Sequence, residues 1–355
     1  MPLAIQIFCA AMAFVFGSVI GSFLNVVILR TPLKQSIVTE PSHCFSCGHQ
    51  LAWYDMFPIF SWIFLGGKCR YCKSKISPRY MIVESICAVL YCGSWLMYQY
   101  SGDLMWKGKV WMLPFSAVLF AVLIVLSFID IDHFEIPYWC SITIGVLGIA
   151  SIWVFPDTPW TERLISAGIV IVLFGILVFI GGMGGGDLQL MAGASLLLGY
   201  RVFVALLVGI LTGSVYGVIK KLRDKKAERE ISDKILELVK DWYQNQLDSD
   251  VGYIREGCDD IIVGSVSDGE PDIEWEFLDE KVWHGLPDKS ALTRILRENI
   301  SDERESGFKI YIRGDQITKV KYSRRMVFGP FLAVGIAAAW FIGLPIIGWY
   351  MGLFD

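Results

Sequence analysis

The chain has 355 residues, 54% of them hydrophobic and 19% charged, with a mean hydropathy of +0.52. Soluble globular chains carry about 25% charged residues, so a protein soluble throughout is excluded. The net charge of −4 hides a split, because 24 of the 35 acidic and 19 of the 31 basic residues lie between Lys221 and Arg325; such an acidic module argues against nucleic-acid binding, which calls for a basic face.

Four blocks hold no charged residue at all: Leu3–Leu29, Trp111–Ile129, Leu164–Gly186 and Met326–Phe354. A membrane span takes about 20 mostly apolar residues. The first block lacks a basic leading segment and exceeds a signal-peptide core in length, so it is expected to remain as a helix. In chain order the apolar runs predict about eight spans. They are Ile5–Leu29, Met81–Tyr100, Val110–Ile129, Ile136–Phe155, Leu164–Gly181, Leu188–Tyr200, Val202–Ile219 and Val327–Tyr350. The sixth is short enough to be broken or re-entrant.

Basic residues near span ends mark the cytoplasmic side. The first loop carries Arg30, Lys34, Lys68, Arg70, Lys73, Lys75 and Arg79. The seventh span runs into Lys220, Lys221, Arg223, Lys225 and Lys226, and the eighth follows Lys319, Lys321, Arg324 and Arg325. With eight spans all three clusters fall on one side. Between them, residues 224–320 read as a small α/β module. Ile231, Ile235, Leu238, Val239 and Trp242 recur at helical spacing, whereas Ile273–Phe277 and Phe308–Ile312 read as strands.

The first loop also holds Cys44-x-x-Cys47 and Cys69-x-x-Cys72, with 21 residues between the pairs. Two such knuckles can close a tetrahedral four-thiolate zinc site. A reducing cytoplasm disfavours the disulfide reading. Cys9, Cys87, Cys92, Cys140 and Cys258 read as packing thiols, and His43 and His49 as surface residues.

Two apolar runs end in aspartates. Leu119–Ile129 leads into Asp130-Ile131-Asp132, and Leu164–Ile180 into Gly181-Gly182-Met183-Gly184-Gly185-Gly186-Asp187. An ionisable residue at membrane depth is a functional candidate. Both motifs leave the membrane on the same side, and the glycine run disfavours a regular helix and lets a peptide approach closely. Two aspartates in one cleft can share a proton, one activating water and the other donating to a scissile carbonyl. His133 is a candidate only for tuning the site.

These residues resemble the type IV prepilin peptidase (leader peptidase/N-methyltransferase) family. The resemblance rests on Gly21-Ser22-Phe23-Leu24-Asn25, the two cysteine knuckles, Trp53-Tyr54-Asp55, Arg79-Tyr80, Val83-Glu84, Asp130-x-Asp132 with Ile136-Pro137, Gly184-x-Gly186-Asp187 and Phe328-Gly329-Pro330. It covers nearly all the chain except about 222–322. It implies an aspartic protease that cuts prepilin or pseudopilin leaders after a glycine, with Asp130 and Asp187 catalytic and Gly184, Gly186 and Asp132 supporting. It further implies a structural zinc on Cys44, Cys47, Cys69 and Cys72, N-methylation with S-adenosylmethionine, and a bacterial inner-membrane address with the site facing the cytoplasm. The family pattern is departed from at Met56, Tyr138, Gln189 and the acidic insert.

The expected fold is therefore an all-α polytopic membrane protein of about eight transmembrane helices, with a cytoplasmic four-cysteine zinc loop and a small soluble α/β insert. Its divisions are a first helix (1–30), the zinc loop and methyltransferase-like region (31–80), the peptidase domain (81–221), the insert (222–322), which has room for a further partner, and a last helix (323–355). The competing readings are a transporter using the aspartates as an ion relay, and an assembly scaffold.

Overall fold

The computed structural model describes residues 2–100, 110–154, 158–180, 183–247, 259–267, 270–276, 306–313, 316–324 and 327–351. Cys258, Gly181, Gly182 and the loop at 101–109 lie outside them. The described helices are α1 (Leu3–Arg30), α2 (Phe60–Phe64), α3 (Arg79–Tyr100), α4 (Met112–His133), α5 (Tyr138–Val154), α6 (Trp160–Phe179), α7 (Gly185–Leu198), α8 (Arg201–Leu247) and α9 (Gly329–Met351). The strands are β1 (Asp259–Ser267), β2 (Glu270–Glu276), β3 (Ser306–Arg313) and β4 (Gln316–Arg324).

Among the described residues five helices are long and apolar enough to cross a membrane: α1, α3, α4, α6 and α8 through Arg223. Two shorter apolar stretches, 138–153 and 329–342, fall in α5 and α9. On α1 the side chains of Phe8, Phe16 and Val19 are exposed. An apolar helix left so open needs lipid around it.

The chain forms two compact units, residues 1–213 with 327–355, and residues 214–326. In the first unit α4 is central. Its apolar window is 56% buried, against 33% or less for the other four candidates, and it touches α1, α3, α5 and α9. Small residues let the helices close on one another, as membrane packing requires. A Cβ at Gly17 would lie 2.9 Å from the Ala88 Cα, and one at Gly21 only 2.7 Å from the Glu84 Cα, so α1 and α3 run in backbone contact. Gly193 of α7 meets α5 at Ser141 and Gly145 in the same way, and Gly335 of α9 meets α8 at the Ala205 carbonyl.

Buried polar groups tie the bundle together. The Trp340 Nε1–H of α9 donates to Ser116 Oγ of α4 at 2.7 Å. Arg163 of α6 is 1% exposed and donates to the carbonyls of Gly148 and Leu196, which joins α5, α6 and α7.

The second unit contains an antiparallel four-stranded sheet in the order β2-β1-β3-β4. Register sets Trp275, Ile262, Ile310 and Val320 in one row across it. The helical spacing at Ile231–Trp242 falls within α8, and the two strand expectations fall within β2 and β3, apart from Phe277, which lies outside the described residues.

Candidate active site and metal centre

Asp130 sits in the last turn of α4 and is buried. The helix ends three residues later at His133, and its C-cap Phe134, with a left-handed backbone (φ 56°), turns its N–H back onto the Asp130 carbonyl at 2.9 Å. That turn brings Ile136 beneath the aspartate. The Asp130 Oδ2 accepts a 3.0 Å hydrogen bond from the backbone N–H of Gly329, the first residue of α9. The first amides of a helix have no partner within it and favour a negative charge, so α9 presents its positive end to this carboxylate. Only glycine fits there. A Cβ on residue 329 would lie 2.5 Å from Asp130 Oδ2 and 3.2 Å from Ile136 Cδ1.

Asp187 is the third residue of α7, with Gly184 as the N-cap. Its carboxylate takes a hydrogen bond from the Gly184 backbone, the reach-back of a capping box. The glycine run thus does not keep the chain out of a helix: Gly185 and Gly186 form the first turn of α7. Its free amides and the Asp187 carboxylate offset the low helix propensity of glycine. Nor does every glycine stand open to a substrate. A Cβ on Gly186 would meet Ile136 Cβ at 3.1 Å, whereas Gly185 has nothing within 4 Å. The residues beside both aspartates therefore close on one side chain, Ile136, and Asp187 is near enough for its charge to act on Asp130.

Asp132 turns elsewhere. Its Oδ2 pairs with Arg79 Nη2 at 2.5 Å. The same guanidinium donates to the Phe128 carbonyl at 3.4 Å and lies 5.1 Å over the Phe128 ring. Asp132 thus fastens α4 to the start of α3. His133 is exposed beside it. Tyr138 and Gln189, two of the departures from the family pattern, meet each other: Gln189 Nε2 donates to the Tyr138 hydroxyl at 3.2 Å.

The four knuckle cysteines converge, their Sγ atoms all within 4.8 Å of one another, with Cys44 and Cys72 at 3.8 Å. Tetrahedral metal–thiolate bonds of about 2.3 Å place sulfurs about 3.8 Å apart, so the cluster can hold a metal ion. The two knuckles repeat one backbone pattern. The N–H of Gly48 bonds to the Cys44 carbonyl at 2.8 Å, and that of Lys73 to the Cys69 carbonyl at 3.0 Å. Both turn residues have positive φ, 68° and 61°. The amides of Cys47 and Ser46 pull the Cys44 thiol down to about 6, and Ser74 lowers Cys72. Both shifts favour the thiolate that binds metal.

Asp55 braces the loop between the knuckles, accepting from Arg70 at 2.6 Å, Tyr71 at 3.1 Å and the Ala52 amide at 3.3 Å. Its burial favours the neutral acid, but the hydrogen bond from Arg70 and that from Ala52 outweigh it and hold the carboxyl below the usual range. Cys87 and Cys140 are buried thiols, in keeping with a packing role.

The Gly329 amide, Ile136 and Arg79 are the site neighbours that residue-type reasoning alone passes over. Their signal in the sequence is their place in motifs that carry the family resemblance, Phe328-Gly329-Pro330, Ile136-Pro137 and Arg79-Tyr80.

Comparison with known proteins places both halves of the first unit. Residues 15–98 match the bacterial peptidase A24 N-terminal domain and residues 117–218 the type IV leader peptidase family. A "Prepilin leader peptidase/N-methyltransferase" of Bacillus subtilis is 30% identical over 221 residues, covering 61% of this chain and 85% of the relative. The chain belongs to the type IV leader peptidase family. A further relative of that printed name, from Myxococcus xanthus, is 33% identical over 226 residues, with 61% of this chain and 65% of the relative covered. The "Type 4 prepilin-like proteins leader peptide-processing enzyme" of Escherichia coli is 32% identical over 240 residues, with 59% and 85% covered. No solved structure matches the chain. Within this family the ends of α4 and α7 lie in the peptidase match and the cysteine knuckles in the N-terminal one. Residues 219–326 fall outside both matches.

Proposed function

We propose that this family member cleaves the leaders of prepilins or pseudopilins after a glycine, with Asp130 and Asp187 as its acid–base pair. The observation that carries the reading is the pairing of the two aspartates. They come from the ends of different helices, each is held by a backbone amide, and their neighbours close on Ile136. One carboxyl works ionised and the other protonated. The ionised one takes a proton from a water, whose oxygen attacks the scissile carbonyl. The protonated one donates a hydrogen bond to that carbonyl oxygen. When the C–N bond breaks, the proton passes to the leaving amine. Gly329 keeps Asp130 in place by its N–H, and Asp132 contributes by holding the last turn of α4 to Arg79.

The four cysteines are proposed to hold one structural Zn²⁺, on their tetrahedral spacing and matched knuckles. The metal would tie the two halves of the loop together and supply no step in hydrolysis. N-methylation of the new terminus with S-adenosylmethionine is proposed on the relatives' printed names, and no residue is assigned to that donor. We further propose eight spans in a bacterial inner membrane with the aspartates, zinc loop and α/β insert on the cytoplasmic side. The basic clusters at 30–79, 220–226 and 319–325 support it. Family membership sets aside the transporter reading, which leaves the knuckles without a role.

The test is cleavage of a prepilin by the purified protein, Asp130→Asn and Asp187→Asn, followed by mass spectrometry. Wild type is expected to release the leader and neither variant to do so. Cleavage retained by both would overturn the assignment.

A further inference from the structure

The loop between α1 and α3 carries an apolar ridge that the zinc site does not use. Phe57, Phe60 and Phe64 stand at helical spacing, with ring centroids 5.9 and 6.4 Å apart in succession. They are 53%, 48% and 83% exposed, and Ile63 beside them 54%. The neighbouring Pro58 is buried, so the segment has an inward side and these residues are its outward one.

Its depth can be read from its anchor. The Ile59 N–H donates to Glu84 Oε2 at 2.7 Å, and Glu84 is itself buried between α1 and α3. Glu84 lies five residues, about 7.5 Å, inside α3 at 1.5 Å per residue. Helical side chains lean toward the N-terminus, so Ile59 sits roughly one turn, about 5 Å, beyond the start of that helix. Ile59 holds a positive φ (62°, with ψ −55°), closing a tight turn in which the Phe60 N–H meets the Pro58 carbonyl at 2.6 Å, a conformation costly for a β-branched residue. The chain is thus turned back into the level of the spans and not left above them. Interfacial helices bury their apolar face about 5–10 Å into the headgroup–acyl boundary. Lys68, Lys73 and Lys75, exposed in the same loop, complement anionic headgroups.

We propose that Phe57, Phe60, Ile63 and Phe64 form an interfacial anchor, seated in the cytoplasmic leaflet beside α3 and occupied by the lipid bilayer. The proposal rests on α1 and α3 crossing the membrane, and not on the aspartate chemistry. The anchor fixes the height of the zinc loop relative to the ends of α3 and α4.

The test places the photoreactive residue benzoylphenylalanine, one site at a time, at Phe60, Phe64 and, as a span control, Phe16 on α1. The full chain is held in nanodiscs of phosphatidylethanolamine and phosphatidylglycerol, irradiated, and read by mass spectrometry. Lipid adducts at all three positions are expected. Lipid adducts at Phe16 alone, with positions 60 and 64 giving no adduct or only cross-links to another protein chain, would overturn the anchor while the span stands. No lipid adduct at Phe16 would overturn the span on which the anchor rests. Prepilin cleavage, measured on the same samples before irradiation, reports separately on the proposed peptidase.

Discussion

The Gly329 contact makes a sharp prediction, because Gly329→Ala adds one methyl group and nothing else. The backbone of residue 329 is not in the left-handed region that favours glycine, so alanine is disfavoured there by space alone. Its Cβ would lie 2.5 Å from Asp130 Oδ2 and 3.2 Å from Ile136 Cδ1, inside the ~3.5 Å of ordinary contact. Either the carboxylate or the start of α9 must move by about 1 Å. A misplacement of that size costs up to about a hundredfold in rate. Losing the 3.0 Å bond from the Gly329 N–H points the same way, since a hydrogen bond to a charged group contributes about 1.5–3 kcal/mol and about 1.4 kcal/mol is tenfold. We expect kcat for prepilin cleavage to fall about ten- to hundredfold, measured in detergent against Asp130→Asn as the floor. Gly186→Ala, with Ile136 Cβ at 3.1 Å, should lose less. Gly168→Ala on α6, where nothing lies within 4 Å, should lose nothing. Equal activity of Gly329→Ala and wild type, with thermal unfolding unchanged, would refute the role assigned to this amide.

Three further outcomes follow from the site. Asp132→Asn, which weakens the Arg79 bridge, is expected to slow cleavage several-fold and to leave measurable turnover; abolition equal to that of Asp130→Asn would place Asp132 in the chemistry. Cys44→Ser or Cys72→Ser should reduce bound zinc from one per chain toward none by elemental analysis, and full zinc occupancy in both would dissolve the proposed centre. Asp55 has its folded pKa held below the unfolded value of about 3.9. Its contribution to the loop is thus present above about pH 4 and lost as pH falls further. Asp55→Asn should release zinc to a chelator faster than wild type at neutral pH, and equal release rates would show that the brace does not hold the loop.

The long apolar runs locate α1, α3, α4, α6 and the first half of α8, because a run of about 20 predominantly apolar residues has few alternatives to a span. The knuckle spacing likewise foreshadows the thiol cluster, since each C-x-x-C turn is local and needs only the pairs to meet. What local pattern does not carry is the contact between distant segments. The Gly329 amide reaches Asp130 across 199 positions of sequence, and the Ile59 amide reaches Glu84 across 25. Neither donor has a side chain that advertises it.

The glycine run and the Asp-x-Asp pair show the same limit at closer range. Reading Gly184–Gly186 as a helix breaker weighs propensity alone, but at the first turn the unpaired amides gain a carboxylate partner, and α7 starts there. Reading Asp130 and Asp132 as one acidic motif treats them as neighbours. Since α4 continues to His133, residues two apart point about 200° from each other at 3.6 residues per turn. They cannot both face the same cleft. One turns inward to the α9 amide and Asp187, and the other outward to Arg79. Had α4 ended at Ile129, as the apolar run alone suggests, the two carboxylates would be equivalent candidates. The extra turn of helix is what divides their roles, and the unequal losses expected for Asp130→Asn and Asp132→Asn measure that division.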